Sequence, residues 1–486
     1  MNKKLLLPLT LCSIVAGSAI AAGQNNTDFG MQVEHLLHAQ SQKLFGFEQP
    51  LIDSSEENIQ RHSSQSASDV IDLADGLEAT FLTRQAGNKA DMFSFWPNED
   101  EPTHAVFCIE GGAENLGTTL PSGLVQKYNP SVQRIDLDSG IVDTVLRGMD
   151  RCDGIRTTAW GTILATEESG NGQAYELIDP IATTNHTVLN RATGLIVDAD
   201  NALSNEVVKR DALPTMSWEG LTVTDEGVII AGDELRPGTA EDDVDGGSIF
   251  KFVPEVPHAG GLIFDLSESP LTSGTVHAMQ VSCRDSKAQY GQGCEIGNAA
   301  WVPVNAATAR DDANQAGATG YYRPEDLHAD PVFDGEGIRF CWTNTGNEGA
   351  KNYGEVVCGV DSDPLLADPD ERSVEVNRFV EGDTDLNAVD NLAFQPITGV
   401  MYVIEDHRNG DVFACLPDGE DRDIKTDGCV KVLSVKDQSA EPSGFEFFGN
   451  GKAALVSIQH SNDDLMSDVD DYGTDDIVMI TGFKVK

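Results

Sequence analysis

Four stretches of the chain carry acids at matching places. Glu219 leads an apolar run that turns at Asp225, Glu226 and Gly227, returns from Val228 to Ala231, and ends on Asp233 and Glu234. Asp390 and Asn391 lead a second, which turns at Thr398 and Gly399 and ends on Glu405 and Asp406. Arg323, Pro324, Glu325 and Asp326 lead a third, which turns between Asp334 and Gly337 and returns from Ile338 to Thr343. Glu441 leads a fourth, which turns between Gly449 and Gly451 and ends near His460. Each reads as a hairpin with charged strand ends. Carboxylates gathered in one place repel, so a site built from them must be partly protonated or must hold cations. Oxygen donors of this kind suit calcium or oxidised iron better than zinc.

A scaffold that gathers such strand ends is a β-propeller, whose innermost strands run side by side around an axis. Leads at Trp160, Glu219, Glu325, Asp390 and Glu441, with a further inner strand over residues 105–110, predict an all-β, six-bladed β-propeller with a short N-terminal extension. In that arrangement Glu168, Glu219, Glu325 and Asp390 meet at one mouth, and Asp233, Glu405 and Asp406 end the return strands. Trp160 is expected to pack between blades.

The composition narrows the partners. With 80 acidic against 32 basic residues the formal charge is −48. Nucleic acid is thereby excluded as a partner, because a phosphate backbone needs a basic footprint. Residues 1–22 have the form of a signal peptide: Lys3 and Lys4, an apolar core, then small residues around Ala21. No later apolar run has the length of a membrane span. A monomer that is periplasmic or secreted, off the membrane, is the expectation. Residues 23–75 form a polar extension with a helix predicted from Met31 to Phe45, and residues 76–486 run on without a linker as the propeller.

Of the nine cysteines, Cys12 lies in the signal. Cys283 with Cys294, Cys341 with Cys358, and Cys415 with Cys429 each bracket a polar loop, as hairpin disulfides do in an oxidising compartment. Cys108 and Cys152 are left over, either bonded to each other or with one a free thiolate. The acidic loop at 241–252 has Asp243, Asp245 and Gly246 in EF-hand register but Phe252 where the bidentate Glu belongs, the one at 461–476 has no such register, and both read as solvated loops. Nucleophile-elbow, Walker, His-Glu-x-x-His and dinucleotide signatures are absent.

Several motifs, in order, resemble one family. They are Arg151-Cys152 with Trp160-Gly161-Thr162 and Glu167-Glu168; Ser217-Trp218-Glu219; Arg323-Pro324-Glu325-Asp326; Asp390-Asn391-Leu392-Ala393-Phe394; and Ser457-Ile458-Gln459-His460. Together they resemble the PhoX-type alkaline phosphatases over residues 104–460. The resemblance implies a six-bladed propeller with iron and calcium at its mouth, a cysteine bound to iron, and cleavage of phosphate monoesters. By that resemblance Cys152, Glu168, Glu219 and Glu325 would bind iron, and Arg323 would meet the phosphoryl oxygens. Asp233, Asp390, Asn391, Glu405, Asp406 and, through a weaker match, Glu110 would be calcium candidates. Trp218 and Ile109 stand where the family carries histidine, and the leader lacks a twin arginine.

The expected function is therefore a metal-dependent phosphatase acting on small-molecule phosphate esters. In this expectation the three local cysteine pairs are bridged and Cys152 is a free ligand. A lactonase or phosphotriesterase on the same scaffold, or a calcium-stabilised binding propeller without catalysis, are the rival readings. Cys152 and Arg323 discriminate, since a purely structural calcium site needs neither.

Overall fold

The computed structural model describes residues 29–238, 246–281, 295–417 and 428–485. These are mostly β-strand, and a helix at Phe29–Ala39 precedes the sheets. The predicted signal, the Cys283–Cys294 pair and residues 241–245 of the acidic loop at 241–252 lie outside the described residues.

One pattern recurs along the chain: a first strand, then antiparallel partners added in sequence order. The first sheet runs Ala90–Trp96, His104–Ile109, Pro130–Asp136, Val142–Arg147. The second runs Cys152–Thr157, Thr162–Gly172, Ala174–Ile178, Val207–Lys209. The third starts at Met216–Val223 and the fourth at Pro324–Ala329; Gly297–Val304 joins their far strands into one continuous sheet. The fifth starts at Val389–Phe394 and gains Ile71–Leu73 at its outer edge. The sixth, starting at Glu441–Phe448, takes its outer strand from the distant segment Glu78–Gly87.

The six first strands each lie beside the next, and the last lies beside the first. They are therefore the inner strands. Between every two consecutive sheets sits an apolar cluster, six in all. Strands sandwiched this way are buried on both faces, which is why Met401–Glu405 and Asp411–Cys415 read as unbroken apolar runs without alternation. Leu37 and Phe45 of the N-terminal helical segment pack into the cluster between the fifth and sixth sheets, where Phe445 and Phe447 lie.

This register corrects two sequence assignments. The strand over 105–110 is a return strand, and the inner strand of its sheet is Ala90–Trp96. Trp160, read as a strand lead, lies in the turn after the inner strand Cys152–Thr157; as expected it packs between sheets, in the cluster of the second and third, its Nε1 donating to Glu176 Oε1 at 2.7 Å.

Inner strands pass one another closely where glycine occurs. A Cβ on Gly220 would stand 2.0 Å from Asp326 Oδ1, and one on Gly154 would stand 2.1 Å from the Glu219 carbonyl oxygen. Gly220→Ala is therefore expected to destabilise the protein by about 1–3 kcal/mol or more, as overpacking does. A denaturant midpoint equal to wild type would contradict this packing.

Candidate metal centre and active site

Because neighbouring residues of a strand face opposite sides, each inner strand can turn only alternate residues to the axis. The second residue of Ala90–Trp96, Cys152–Thr157, Pro324–Ala329 and Val389–Phe394 is an acid: Asp91, Asp153, Glu325, Asp390. Glu219 is the fourth residue of Met216–Val223, and Ser443 stands in the sixth strand. Ligand oxygens of Asp153, Glu168 and Glu219 all lie within 4.8 Å of one another. So do those of Glu219, Glu325 and Asp390. The two triads share Glu219. Asp91 closes the ring against the sixth strand, accepting from Ser443 Oγ at 2.5 Å and from Gln459 Nε2 at 2.7 Å.

Acidic doublets stand at the ends of two return strands, Ile229–Asp233 and Met401–Glu405, and within a third, Thr162–Gly172, and their two members do different things. Glu167 accepts from the backbone N–H groups of Asp150 and Gln173. Glu405 does the same with Asn387 and Asp411. Asp233 accepts from Ser217 N and binds Arg310 at 2.8 and 2.5 Å. These first members hold the sheets together. The second members, Glu168, Glu234 and Asp406, face the mouth. Of the predicted site residues, Glu168, Glu219, Glu325, Asp390 and Asp406 thus come together with Arg323. Asp233 and Glu405 do not: they are turn and ion-pair residues. Asn391 does not either, its Oδ1 accepting from Ser443 Oγ at 2.9 Å and Gly444 N at 2.8 Å to tie the fifth inner strand to the sixth.

Cys152 also departs from expectation. It is joined to Cys108 of the neighbouring sheet. Cys152 and Asp153 point to opposite faces of their strand, and Asp153 is the one that faces the carboxylates. The thiolate predicted as an iron ligand is therefore occupied. Cys341–Cys358 and Cys415–Cys429 are disulfides, each between residues directly opposite in an antiparallel ladder. Trp218 is core, its Nε1 donating to Pro214 O at 3.0 Å.

Electrostatics follow from enclosure. Burial, then the Glu110 and Glu234 carboxylates, pushes Glu168 up to about 9. Burial pushes Glu325 up to about 8, against the lowering effect of Arg323. Asp406 rises to about 8 and Asp91 to about 7, burial being the largest cause in both. Asp153, Glu219 and Asp390 are raised well above the carboxylate range by burial and by one another's neighbours. Arg323 is the main cation here: its Nε lies 2.6 Å from Glu234, and an Nη lies 3.0 Å from Glu325 and 3.7 Å from Asp406. Arg151 lies 3.3 Å from Glu168, and His460 lies 3.0 Å from Glu441 and 3.6 Å from Glu110. A cavity of about 740 Å³, lined by Phe95, Trp96, Glu99, Thr157 and Phe264 among others, includes none of these triad acids. It lies toward the far ends of the inner strands, away from the carboxylates.

Sequence reasoning missed Asp91, Asp153 and Glu234. The signal was present: the same spacing separates Asp153 from Glu168 and Glu219 from Glu234.

A model of the alkaline phosphatase PhoX family matches residues 149–462. No curated protein matches the sequence. Among solved structures, PhoX of Pseudomonas fluorescens in complex with vanadate, a transition state analogue, is similar with a TM-score of 0.52 at 16% identity, over 88% of this chain and 98% of that one. A Xanthomonas campestris gluconolactonase follows with a TM-score of 0.43 at 12% identity, over 88% and 96%. At these identities the likeness to PhoX of Pseudomonas fluorescens shows a shared fold.

Two predictions come from the site. Each raised carboxyl keeps its proton to a higher pH in the folded, metal-free chain than in the unfolded one. The folded state then binds more protons between the ordinary carboxylate range and about pH 8–9, and stability falls as pH rises through that window. Chelated protein should melt lower at about pH 8.5 than at about pH 6, and added cation should restore the loss by linkage. A melting point that rises with pH in chelated protein would contradict this. Second, Asp233→Asn should cost roughly 1.5–3 kcal/mol by weakening its charge-assisted bonds to Arg310, with metal content intact, whereas Asp153→Asn should lose metal. Metal loss in Asp233→Asn would reverse the assignment of the doublets.

Proposed function

We propose that this chain, which belongs to the alkaline phosphatase PhoX family, hydrolyses phosphate monoesters at the paired carboxylate triads of a six-bladed propeller. The propeller count rests on six inner strands in cyclic adjacency with an apolar cluster between each pair of sheets. The observation that carries the activity is Arg323 held beside the Glu219–Glu325–Asp390 triad by Glu234 and Glu325. A structural cation site has no use for a guanidinium so placed.

The donor set fits a hard cation. It is all carboxylate oxygen, enclosed, and its groups are driven toward protonation when nothing else neutralises them. Asp153, Glu168, Glu219, Glu325 and Asp390 would hold calcium, with Glu219 shared. Thiolate ligation of iron does not fit, because Cys152 is bridged to Cys108. Cations bound there supply charge neutralisation for phosphoryl oxygens.

The chain's own residues supply orientation. The Arg323 guanidinium presents a planar fork that matches two phosphoryl oxygens. Glu234 at its Nε and Glu325 at an Nη fix that fork before substrate arrives. Thr345 Oγ1 donates to Glu325 Oε1 and holds the carboxylate in turn. The leader at residues 1–22 and the disulfides support export to the periplasm or the medium, where a small phosphate ester is the substrate.

Elemental analysis of purified protein beside a p-nitrophenyl phosphate assay tests the reading directly. Metal bound without turnover would remove the phosphatase and leave a binding propeller. Arg323→Lys keeps charge and loses the paired bonds. One such contact, stronger in the transition state, is worth roughly 2–4 kcal/mol, so kcat/KM should fall about 30- to 1,000-fold with metal retained. Unchanged kinetics would refute contact between Arg323 and the phosphoryl group.

A further inference from the structure

Several residues around the mouth stand on the same backbone corner. Lys89, Arg151 and Arg323 each immediately precede an inner strand. Each is left-handed, with φ of +68°, +56° and +56°, a conformation uncommon outside glycine. In each, the carbonyl accepts from a backbone N–H in or just after the return strand: Glu110 N to Lys89 O at 2.8 Å, Glu168 N to Arg151 O at 2.8 Å, Thr345 N to Arg323 O at 3.3 Å. Ala388 occupies the corresponding corner of the fifth sheet, at φ +48°, with Asp406 N donating to its carbonyl at 2.8 Å. Alanine fills that corner, so the corner itself asks nothing of the side chain. A long cation placed there answers to something other than the fold.

Arg151 and Arg323 answer to the two triads. Arg323 pairs with Glu325 of one triad, and Arg151 pairs with Glu168 of the other, with Glu219 common to both. Their settings differ in one respect. Arg323 is gripped by three acids and its side chain is 17% exposed. Arg151 is 51% exposed and meets both Glu168 oxygens at 3.3 Å, a loose contact for a charge-assisted bond. With a cation held by Asp153, Glu168 and Glu219, the Glu168 charge would be shared with the metal and its pair with Arg151 would weaken, which would free the guanidinium for an anion at the mouth.

We infer that Arg151 is a second phosphate-positioning residue, the counterpart of Arg323 across Glu219, so that the two arginines hold one tetrahedral oxyanion between them. The inference rests on the phosphatase reading and adds to it a residue with its own readout. Lysine and glutamine at position 151 face the same backbone strain as arginine, and the main-chain bonds of the corner, Glu168 N to Arg151 O and Arg151 N to Gly111 O, are untouched by either.

The test uses full-length, metal-loaded protein. Inorganic phosphate binding is measured by calorimetry, kcat and KM on p-nitrophenyl phosphate, and metal content on the same samples. Arg151→Gln should weaken inorganic phosphate binding and raise KM by about 10- to 100-fold, the range of a charge-assisted bond, with metal content equal to wild type. Arg151→Lys should recover part of the loss. Phosphate affinity and KM equal to wild type in Arg151→Gln would overturn the inference while leaving the phosphatase reading intact. Metal loss in step with activity would also overturn it, making Arg151 a counter-ion of Glu168 alone. Wild type that binds phosphate without hydrolysing the ester would sink the phosphatase reading instead, and Arg151 would then stand or fall on the calorimetry.

Discussion

Repulsion among enclosed carboxylates is the constraint on which the rest of this molecule turns. Five inner strands each bring an acid to one mouth, and three return strands add Glu168, Glu234 and Asp406. The acids cannot spread apart, because the strands that carry them are clamped between apolar clusters and approach within contact at Gly154 and Gly220. Charge must therefore be neutralised on the spot, by protons, by Arg151 and Arg323, or by cations. A fold stabilised by apolar sheet interfaces can carry such a centre, since the stabilising surface and the repelling groups sit in different layers.

Much of this was legible from the residues. Glu219, Glu325 and Asp390 could be placed because apolar hairpins mark where strands begin, and Glu168 and Asp406 because they mark where strands return. The doublets were not resolved. Asp233 with Glu234, and Glu405 with Asp406, are adjacent residues on opposite faces. Only the ladder register says which member turns to the axis. The reading took Asp233 and omitted Glu234; the structure makes Asp233 the partner of Arg310, from a helix inserted after the third sheet. Asp91 and Asp153 were missed because their inner strands were misplaced, the first of them at residues 105–110 where the structure has Ala90–Trp96. Cys152–Thr157 contains glycine, arginine and threonine and shows no apolar run, so its role as an inner strand passed to the stretch after Trp160.

Cysteine pairing divides the same way. Cys341–Cys358 and Cys415–Cys429 join strands adjacent in sequence, where local spacing is informative. Cys108–Cys152 joins two different sheets and shows only when those sheets are packed together. That one bond changes the chemistry assigned to the mouth. It takes away the soft ligand and leaves a set of hard oxygen donors, so the metal question becomes one of carboxylate geometry around Glu219. Asn391 makes a similar point: beside a site acid in sequence, it faces the neighbouring strand and works as a strand-to-strand tie.

The account stands most directly on the paired triads that share Glu219. Anomalous diffraction from crystals of metal-loaded protein would place the cations without any assay. The account predicts a peak within bonding distance of Asp153, Glu168 and Glu219, and another within bonding distance of Glu219, Glu325 and Asp390. An active, metal-containing crystal with neither triad occupied, its metal bound elsewhere, would contradict it.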